Sequence, residues 1–274
     1  MIPKIIHYCW FGKGLMPKSQ IKCIQTWKTL MPDYRIMLWN EDSFDINKCE
    51  FTAAAYKKKK YAYVADVARL YALYEYGGIY LDTDVEVFKR FDDFLVYDFF
   101  TGIEIYEDFY TDHIADEYLN PDGTAKDPAK DVPKCEILTS TIGSCAGCEV
   151  IDKLKEFYLD LKVTPEMIED FRKYVNYDRL FARFLAKYGL KYRDETQMIQ
   201  NNMIVFGTGT FGYMWSPNPK YDVTFHHNAM SWEDEKWSKA HRKKVMLDKL
   251  GLLPIYKKFK RLKNRIKGLE NHDT

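Results

Sequence analysis

The sequence predicts an α/β protein with a mostly parallel sheet and helices on its faces. Three observations predict it. Short β-branched and aromatic runs alternate with stretches of helical periodicity over the first 90 residues. A Gly77-Gly78 pair separates one such helical stretch from the next apolar run. A length of 274 residues, with 46% apolar and 30% charged, provides for one large domain with appendages and a real core.

The elements follow in order. Lys4–Cys9 (KIIHYC) has the composition of a buried strand, and Pro17 can open a helix in which Ile21, Ile24, Trp27 and Leu30 lie three apart. Arg35–Trp39 (RIMLW) reads as the second strand. A long helix is expected from about Phe51 to Tyr76, closed by the glycine pair, and Ile79–Phe88 (IYLDTDVEVF) as a third strand. Residues 107–134 mix Asp, Lys, Gly and three prolines without periodicity, which reads as a long loop or lid. Helical spacing returns in Val150, Leu154, Phe157 and Leu161, after the capping pair Thr164-Pro165, and in Leu180, Phe181, Phe184 and Leu185 up to Gly189. Asn202–Phe206 and Tyr221–His226 read as late strands joined by a Gly- and Pro-rich loop.

Composition narrows the function. With 21 Tyr, 17 Phe and 6 Trp the chain is neither disordered nor collagenous, no run approaches the roughly 18 apolar residues of a membrane span, and the start MIPKIIHYCWFGKG lacks the features of a signal peptide. A cytoplasmic location is the expectation. Six cysteines are too few for a disulfide framework, and Cys145-Ala-Gly-Cys148 lacks the second ligand pair a zinc site needs, so these thiols are expected to be buried or incidental. The net charge of +1 hides a division: Lys236 to Lys267 hold 13 Lys and Arg against Asp248 alone, leaving an acidic body. The domain reading is therefore an acidic globular body over residues 1–235 and a basic tail over 236–274. In the tail Ile255, Phe259, Leu262, Ile266 and Leu269 form one apolar stripe among Lys and Arg. Such a helix suits an anionic membrane surface, with packing on the acidic body and nucleic-acid binding as the alternatives, and a peripheral position on the inner face of the membrane is the expectation.

The chemistry concentrates in Tyr61–Phe88. Asp66 and Arg69, three apart on a helix, share a face and can meet one ligand, the acid suiting a ribose hydroxyl and the base a phosphate. Asp82 and Asp84, two apart on a strand, would point to one side at the carboxyl edge of the sheet, where open α/β sheets bind ligands. Two carboxylates there suit a divalent cation carrying a diphosphate.

This stretch resembles the DXD-containing sugar-binding region of glycosyltransferase family 32, and is similar to the glucosyltransferase domains of clostridial toxins. The resemblance extends to Ile2-Pro3-Lys4-Ile5-Ile6-His7 with Trp10-Phe11-Gly12, to Trp39-Asn40, and to His226-His227 with Ser231-Trp232. Ala65, where a Ser often precedes the Asp, and Tyr8-Cys9 in the opening strand depart from the family pattern. The resemblance implies a GT-A-type, Rossmann-like fold and a retaining, metal-dependent transfer of a hexose from a nucleotide-diphosphate sugar to a glycan or glycolipid acceptor in surface polysaccharide synthesis. A UDP-sugar is the first expectation and GDP-mannose the second, with Mn²⁺ or Mg²⁺ as cofactor. By motif position Trp10 would stack on the base, Asp66 and Arg69 would hold sugar and phosphate, Tyr80 would line the donor site and Asp82 would contact ribose or sugar. Asp84 would be the direct metal ligand with Asp82 beside it, and Ser231 and Trp232 would close over the diphosphate. For a further ligand, His227 is a reasonable donor and counting back three from Ser231 lands on Asn228, with His226 the remaining alternative.

Two other readings stand beside this one. A haloacid-dehalogenase-type phosphatase would use Asp82 as nucleophile and Asp84 as acid/base, although no later Lys or acidic cluster of that family is found. A non-catalytic glycan-binding or membrane-anchoring module is the other.

Overall fold

The computed structural model describes residues 1–106, 108–111, 113–212 and 218–229, together with single positions between 243 and 259. The tail and the expected 235/236 boundary thus lie almost wholly outside the described residues.

The first half follows the sequence closely. Strand β1 (Ile5–Cys9) leads to α1 (Lys18–Leu30) and β2 (Arg35–Trp39). Helix α1 buries Gln20, Cys23, Ile24 and Trp27. Ile21, placed on the apolar face by three-residue spacing, is 51% exposed, because an α-helix turns 3.6 residues and the buried stripe drifts to the 20-23-24-27 row. Trp27 is fully buried and donates its indole N–H to the Val85 carbonyl at 2.8 Å, tying this helix to the chain just beyond the Asp pair.

The expected long helix is two helices, α2 (Glu50–Lys57) and α3 (Tyr61–Tyr76). The break falls in the run Lys57-Lys58-Lys59-Lys60, where Lys59 takes a left-handed φ of 58° and like charges disfavour continuation. Helix α3 ends as expected at Gly77, φ 61°, whose N–H reaches the Leu73 carbonyl. Gly78, at φ 114°, allows no side chain: a Cβ would lie 2.6 Å from the Ile5 carbonyl oxygen.

The expected strand 79–88 is also divided, into β3 (Gly78–Leu81) and β4 (Val85–Val87), with a turn between them in which the Val85 N–H bonds the Asp82 carbonyl at 3.0 Å. Beyond it come β5 (Phe99–Ile105), short helices α4 (Asp108–Thr111) and α5 (Ile114–Tyr118) in the expected loop, β6 (Cys135–Ile137) and β7 (Thr141–Ser144). Helices α6 (Glu149–Asp160), α7 (Pro165–Glu169), α8 (Phe171–Tyr174) and α9 (Tyr177–Ala186) precede β8 (Gln197–Ile199), β9 (Met203–Phe206) and β10 (Thr224–His226). Thr164 caps α7, accepting from the Met167 N–H.

Eight strands form the main sheet in the order β2-β1-β3-β7-β5-β9-β8, with β6 on β5, and β10 pairs with β4 separately. The α/β class is as read from the sequence, but the sheet is mixed rather than mostly parallel. Strands β2, β1 and β3 are parallel, β7 is antiparallel to both β3 and β5, and β9 is parallel to β5. Antiparallel β7 restores β5 to the direction of β3, so the carboxyl ends of β1, β2, β3, β5 and β9 share one edge. Helices α2, α3, α6 and α9 cover one face through Phe51, Leu70, Leu154 and Phe181, and α1 covers the other through Ile24, Trp27 and Met31. No helix among the described residues is long and apolar enough to cross a membrane. The six cysteines are free, five of them buried.

Candidate functional site

The Asp82-Thr83-Asp84 turn stands at the shared carboxyl edge. Its two carboxylates converge through this turn rather than through the pleat of one strand. Antiparallel pairing of β10 with β4 sets His226 opposite Val85 and brings its imidazole against them. His226 Nε2 lies 3.2 Å from Asp84 Oδ1 and 3.9 Å from Asp82 Oδ2. Among the described residues these three side chains form a group whose ligand atoms lie within 4.8 Å of one another.

Each carboxylate is oriented by its other oxygen. Asp82 Oδ1 accepts from the Tyr80 hydroxyl at 2.8 Å and faces the Arg69 guanidinium at 3.5 Å. Asp84 Oδ2 accepts from the Ala229 N–H at 2.7 Å. The oxygens left over, Asp82 Oδ2 and Asp84 Oδ1, are the ones that face His226. Two hard carboxylate oxygens and one imidazole nitrogen, held by outer hydrogen bonds, fit Mn²⁺ or Mg²⁺. Burial opposes ionisation of Asp84, but His226 and the Ala229 N–H outweigh it and hold its pKa below the usual carboxylate range. Burial likewise opposes charge on His226, and Asp84 and Asp82 overcome it, raising its pKa to about 9.

Arg69 is the hub behind the turn. Its side chain is 5% exposed, and it pairs with Asp66 at 2.9 Å, donates to the Thr139 carbonyl at 2.7 Å and stacks over the Tyr80 ring at 4.4 Å. Burial disfavours its charge, yet Tyr80, Asp82 and Asp66 around it keep it protonated. Burial pushes Asp66 up to about 7, against the pull of Arg69. The helical spacing of Asp66 and Arg69 thus produces an ion pair aimed at the Asp82 turn.

Other expected residues fall elsewhere. Trp10 follows β1 on the same edge, half-buried, its indole N–H donating to the Gly14 carbonyl at 2.7 Å. His227 turns away from the group to the Glu86 carboxylate at 2.9 Å. Asn228 adopts a left-handed φ of 48°, and its amide donates to the His226 carbonyl at 3.4 Å. Ser231 and Trp232 lie outside the described residues.

Several residues at the site carried no sequence signal. Asp178, in the first turn of α9, accepts from the Thr139 hydroxyl, and burial, with Glu136 nearby, raises its pKa. Glu104, near the end of β5, is pushed up to about 8 by burial, with Asp178 and Glu136 adding to it, and has no hydrogen-bond or ion-pair partner among the described residues. Glu104 lies on β5 and Asp178 on α9, and neither acid belongs to a spaced motif in the sequence.

Comparison with known proteins bears on the stretch of sequence that holds the Asp-x-Asp turn. Residues 17–100 match the family described as the glycosyltransferase sugar-binding region containing DXD motif. The chain is 39% identical over 107 residues, 35% of its length, to inositol phosphoceramide mannosyltransferase 3 of Schizosaccharomyces pombe. It is 34% identical over 99 residues, again 35% of its length, to mannosyl phosphorylinositol ceramide synthase CSH1 of Saccharomyces cerevisiae. These matches span only 28% and 26% of those relatives. A solved PaToxG glycosyltransferase aligns over 68% of this chain and 69% of its own, with 16% identity and a TM-score of 0.41. Residues 17–100, which hold the Asp-x-Asp turn at the carboxyl edge of the α/β sheet, are thus similar to the sugar-binding region of the DXD-motif glycosyltransferases.

Proposed function

We propose that this chain is a retaining hexosyltransferase that moves a sugar from a nucleotide-diphosphate donor to a glycan or lipid-linked acceptor, with Mn²⁺ or Mg²⁺ held by Asp82, Asp84 and His226. The observation that carries the reading is the convergence of Asp82 Oδ2, Asp84 Oδ1 and His226 Nε2 beside the buried Asp66–Arg69 pair. When bound there, the cation supplies Lewis-acid stabilisation of charge on the departing diphosphate. The chain's own groups do the rest. Arg69, fixed by Thr139, Asp66 and Tyr80, holds positive charge in a poorly solvated site without reorganising, where such charge is worth most. Asp66 accepts from a sugar or ribose hydroxyl, Tyr80 fixes the Asp82 rotamer and Trp10 offers a ring to the base. By motif position alone, Ser231 and Trp232, outside the described residues, would close over the diphosphate.

The fungal relatives, a mannosyltransferase and a mannosyl phosphorylinositol ceramide synthase, make mannose the first sugar to test, ahead of the other hexoses, and a lipid-linked acceptor the first acceptor class. The basic tail supports the same choice, since it would bring the enzyme to an anionic membrane where such acceptors reside. The phosphatase alternative asks Asp82 to be a free nucleophile, whereas Tyr80 and Arg69 both hold one of its oxygens.

The deciding experiment is a thermal-shift titration of UDP and GDP, each with Mn²⁺ or with EDTA, on the wild type and Asp84→Asn. Ligand at 100 times its dissociation constant stabilises the fold by about 2.7 kcal/mol. Stabilisation by one nucleotide, only with metal and only with Asp84 intact, supports the reading, and no stabilisation by either removes it.

A further inference from the structure

The loop after β1 is built unlike an ordinary connection. Trp10 donates its backbone N–H to the Trp39 carbonyl at 2.9 Å, continuing the pairing of β1 with β2, and Phe11 then drops into the core against Phe44. Gly12 follows at φ 92° with the Tyr61 ring so close that a Cβ would lie 2.3 Å from it. The Gly12 N–H donates to Glu41 Oε1 at 2.6 Å, and the Tyr56 hydroxyl donates to the same oxygen at 2.8 Å. Glu41 is itself set by a turn at Asn40, whose side-chain oxygen accepts from the Asp42 N–H at 3.0 Å. One carboxylate oxygen therefore fastens the loops after β1 and β2 together. Trp27 packs on Tyr8 and Trp39 on His7 and Tyr76, whereas the Trp10 ring meets no other aromatic ring among the described residues.

We propose that Glu41 is a positioning residue for nucleotide recognition: it fastens the Gly12 backbone so that the neighbouring Trp10 ring is held, open-faced, for a base to stack on. This inference rests on the reading of Trp10 as the base platform. An unfastened loop would have to be ordered by the nucleotide, and that cost would be subtracted from its affinity. Glu41 touches no nucleotide, so its whole effect passes through Trp10.

The test is a double-mutant cycle read by calorimetry, with the nucleoside diphosphate that stabilises the wild type and, as a probe without a base, Mn²⁺-pyrophosphate. Trp10→Ala and Glu41→Ala should each raise the nucleotide Kd at least fivefold, and the double variant should be no weaker than Trp10→Ala alone. Glu41→Gln, which keeps an oxygen for the Gly12 N–H, should bind within twofold of the wild type, and Mn²⁺-pyrophosphate should bind every variant within twofold. If Trp10→Ala weakens the nucleotide while Glu41→Ala does not, the fastening role is overturned. Additive losses in the double variant, or an equal loss of pyrophosphate binding, overturn it as well. If Trp10→Ala itself binds normally, the base-platform reading fails first. Should Glu41→Ala not fold, Tyr56→Phe serves instead: a Kd raised about twofold for the nucleotide alone supports the proposal, and no change counts against it.

Discussion

Asp84 Oδ1 and His226 Nε2 lie 3.2 Å apart, joining the first half of the sheet to the last described strand. Each is partly buried with the other as its main counter-charge, so neither can be removed without consequence. Asp84→Asn and His226→Ala should each lower kcat by about 100-fold or more, the usual cost of losing one preorganised charged contact at a reacting group. They should also abolish the metal-dependent part of nucleotide binding. Steady-state kinetics and calorimetry with and without EDTA read both effects, and a variant that keeps full metal dependence would remove that residue from the site.

Arg69 offers a test of geometry against charge. Lysine would keep the charge but lose the fork that reaches Asp66 and the Thr139 carbonyl at once. Arg69→Lys should destabilise the fold by about 2 kcal/mol, and Arg69→Ala by about 3–5 kcal/mol because Asp66 and Asp82 would be left facing each other unpaired. Urea denaturation followed by circular dichroism measures both.

His7 predicts an acid-side weakness. It is fully buried, its Nδ1 accepting from the Trp39 indole and its Nε2–H donating to the Gly77 carbonyl, and burial lowers its pKa to about 4. Between about pH 6.5 and 4 the unfolded chain binds a proton that the folded chain does not. Stability should therefore fall as pH drops through that window, by about 3 kcal/mol from this group. Denaturation series at pH 7.5, 5.5 and 4.5 should show the wild type losing more than His7→Gln.

Gly78 is a steric test. Alanine there would press on the Ile5 carbonyl at a φ of 114° that side chains rarely adopt. Gly78→Ala should cost about 3 kcal/mol and lower Tm by several degrees, measured by calorimetry.

For the tail, the expected partner is an anionic bilayer. The described apolar positions Leu250, Ile255 and Phe259 are 54–68% exposed. At about 1 kcal/mol per base near the surface, changing Lys257, Lys258 and Lys260 to Gln in the full chain should weaken partition onto phosphatidylglycerol vesicles by roughly 100-fold at low salt. Sedimentation unaffected by the changes would detach the tail from the membrane reading.

Strands β1 and β2 and helices α1 and α3 were legible because they are long enough to show a period and are punctuated by Pro17 and Gly77-Gly78. What misled was continuity. The run IYLDTDVEVF keeps strand composition through the turn at Asp82–Asp84, so the turn that converges the carboxylates was read as pleat. Strands β6, β7 and β8 have only three or four residues each, too short for an alternation to register. The choice among His226, His227 and Asn228 depended on the antiparallel register of β10 on β4, which one chain segment does not encode alone. Glu104 and Asp178 were silent for a related reason: an isolated acid becomes notable only when the fold buries it.

That β4–β10 register also bears on synthesis. The elements through Val87 come early in the chain, and β1, β2 and β3 can pair while it is still being made. The histidine that completes the metal-ligand group arrives only when His226 has left the ribosome. A chain that stops short of β10 would thus carry the Asp82–Asp84 turn without the third member of its group.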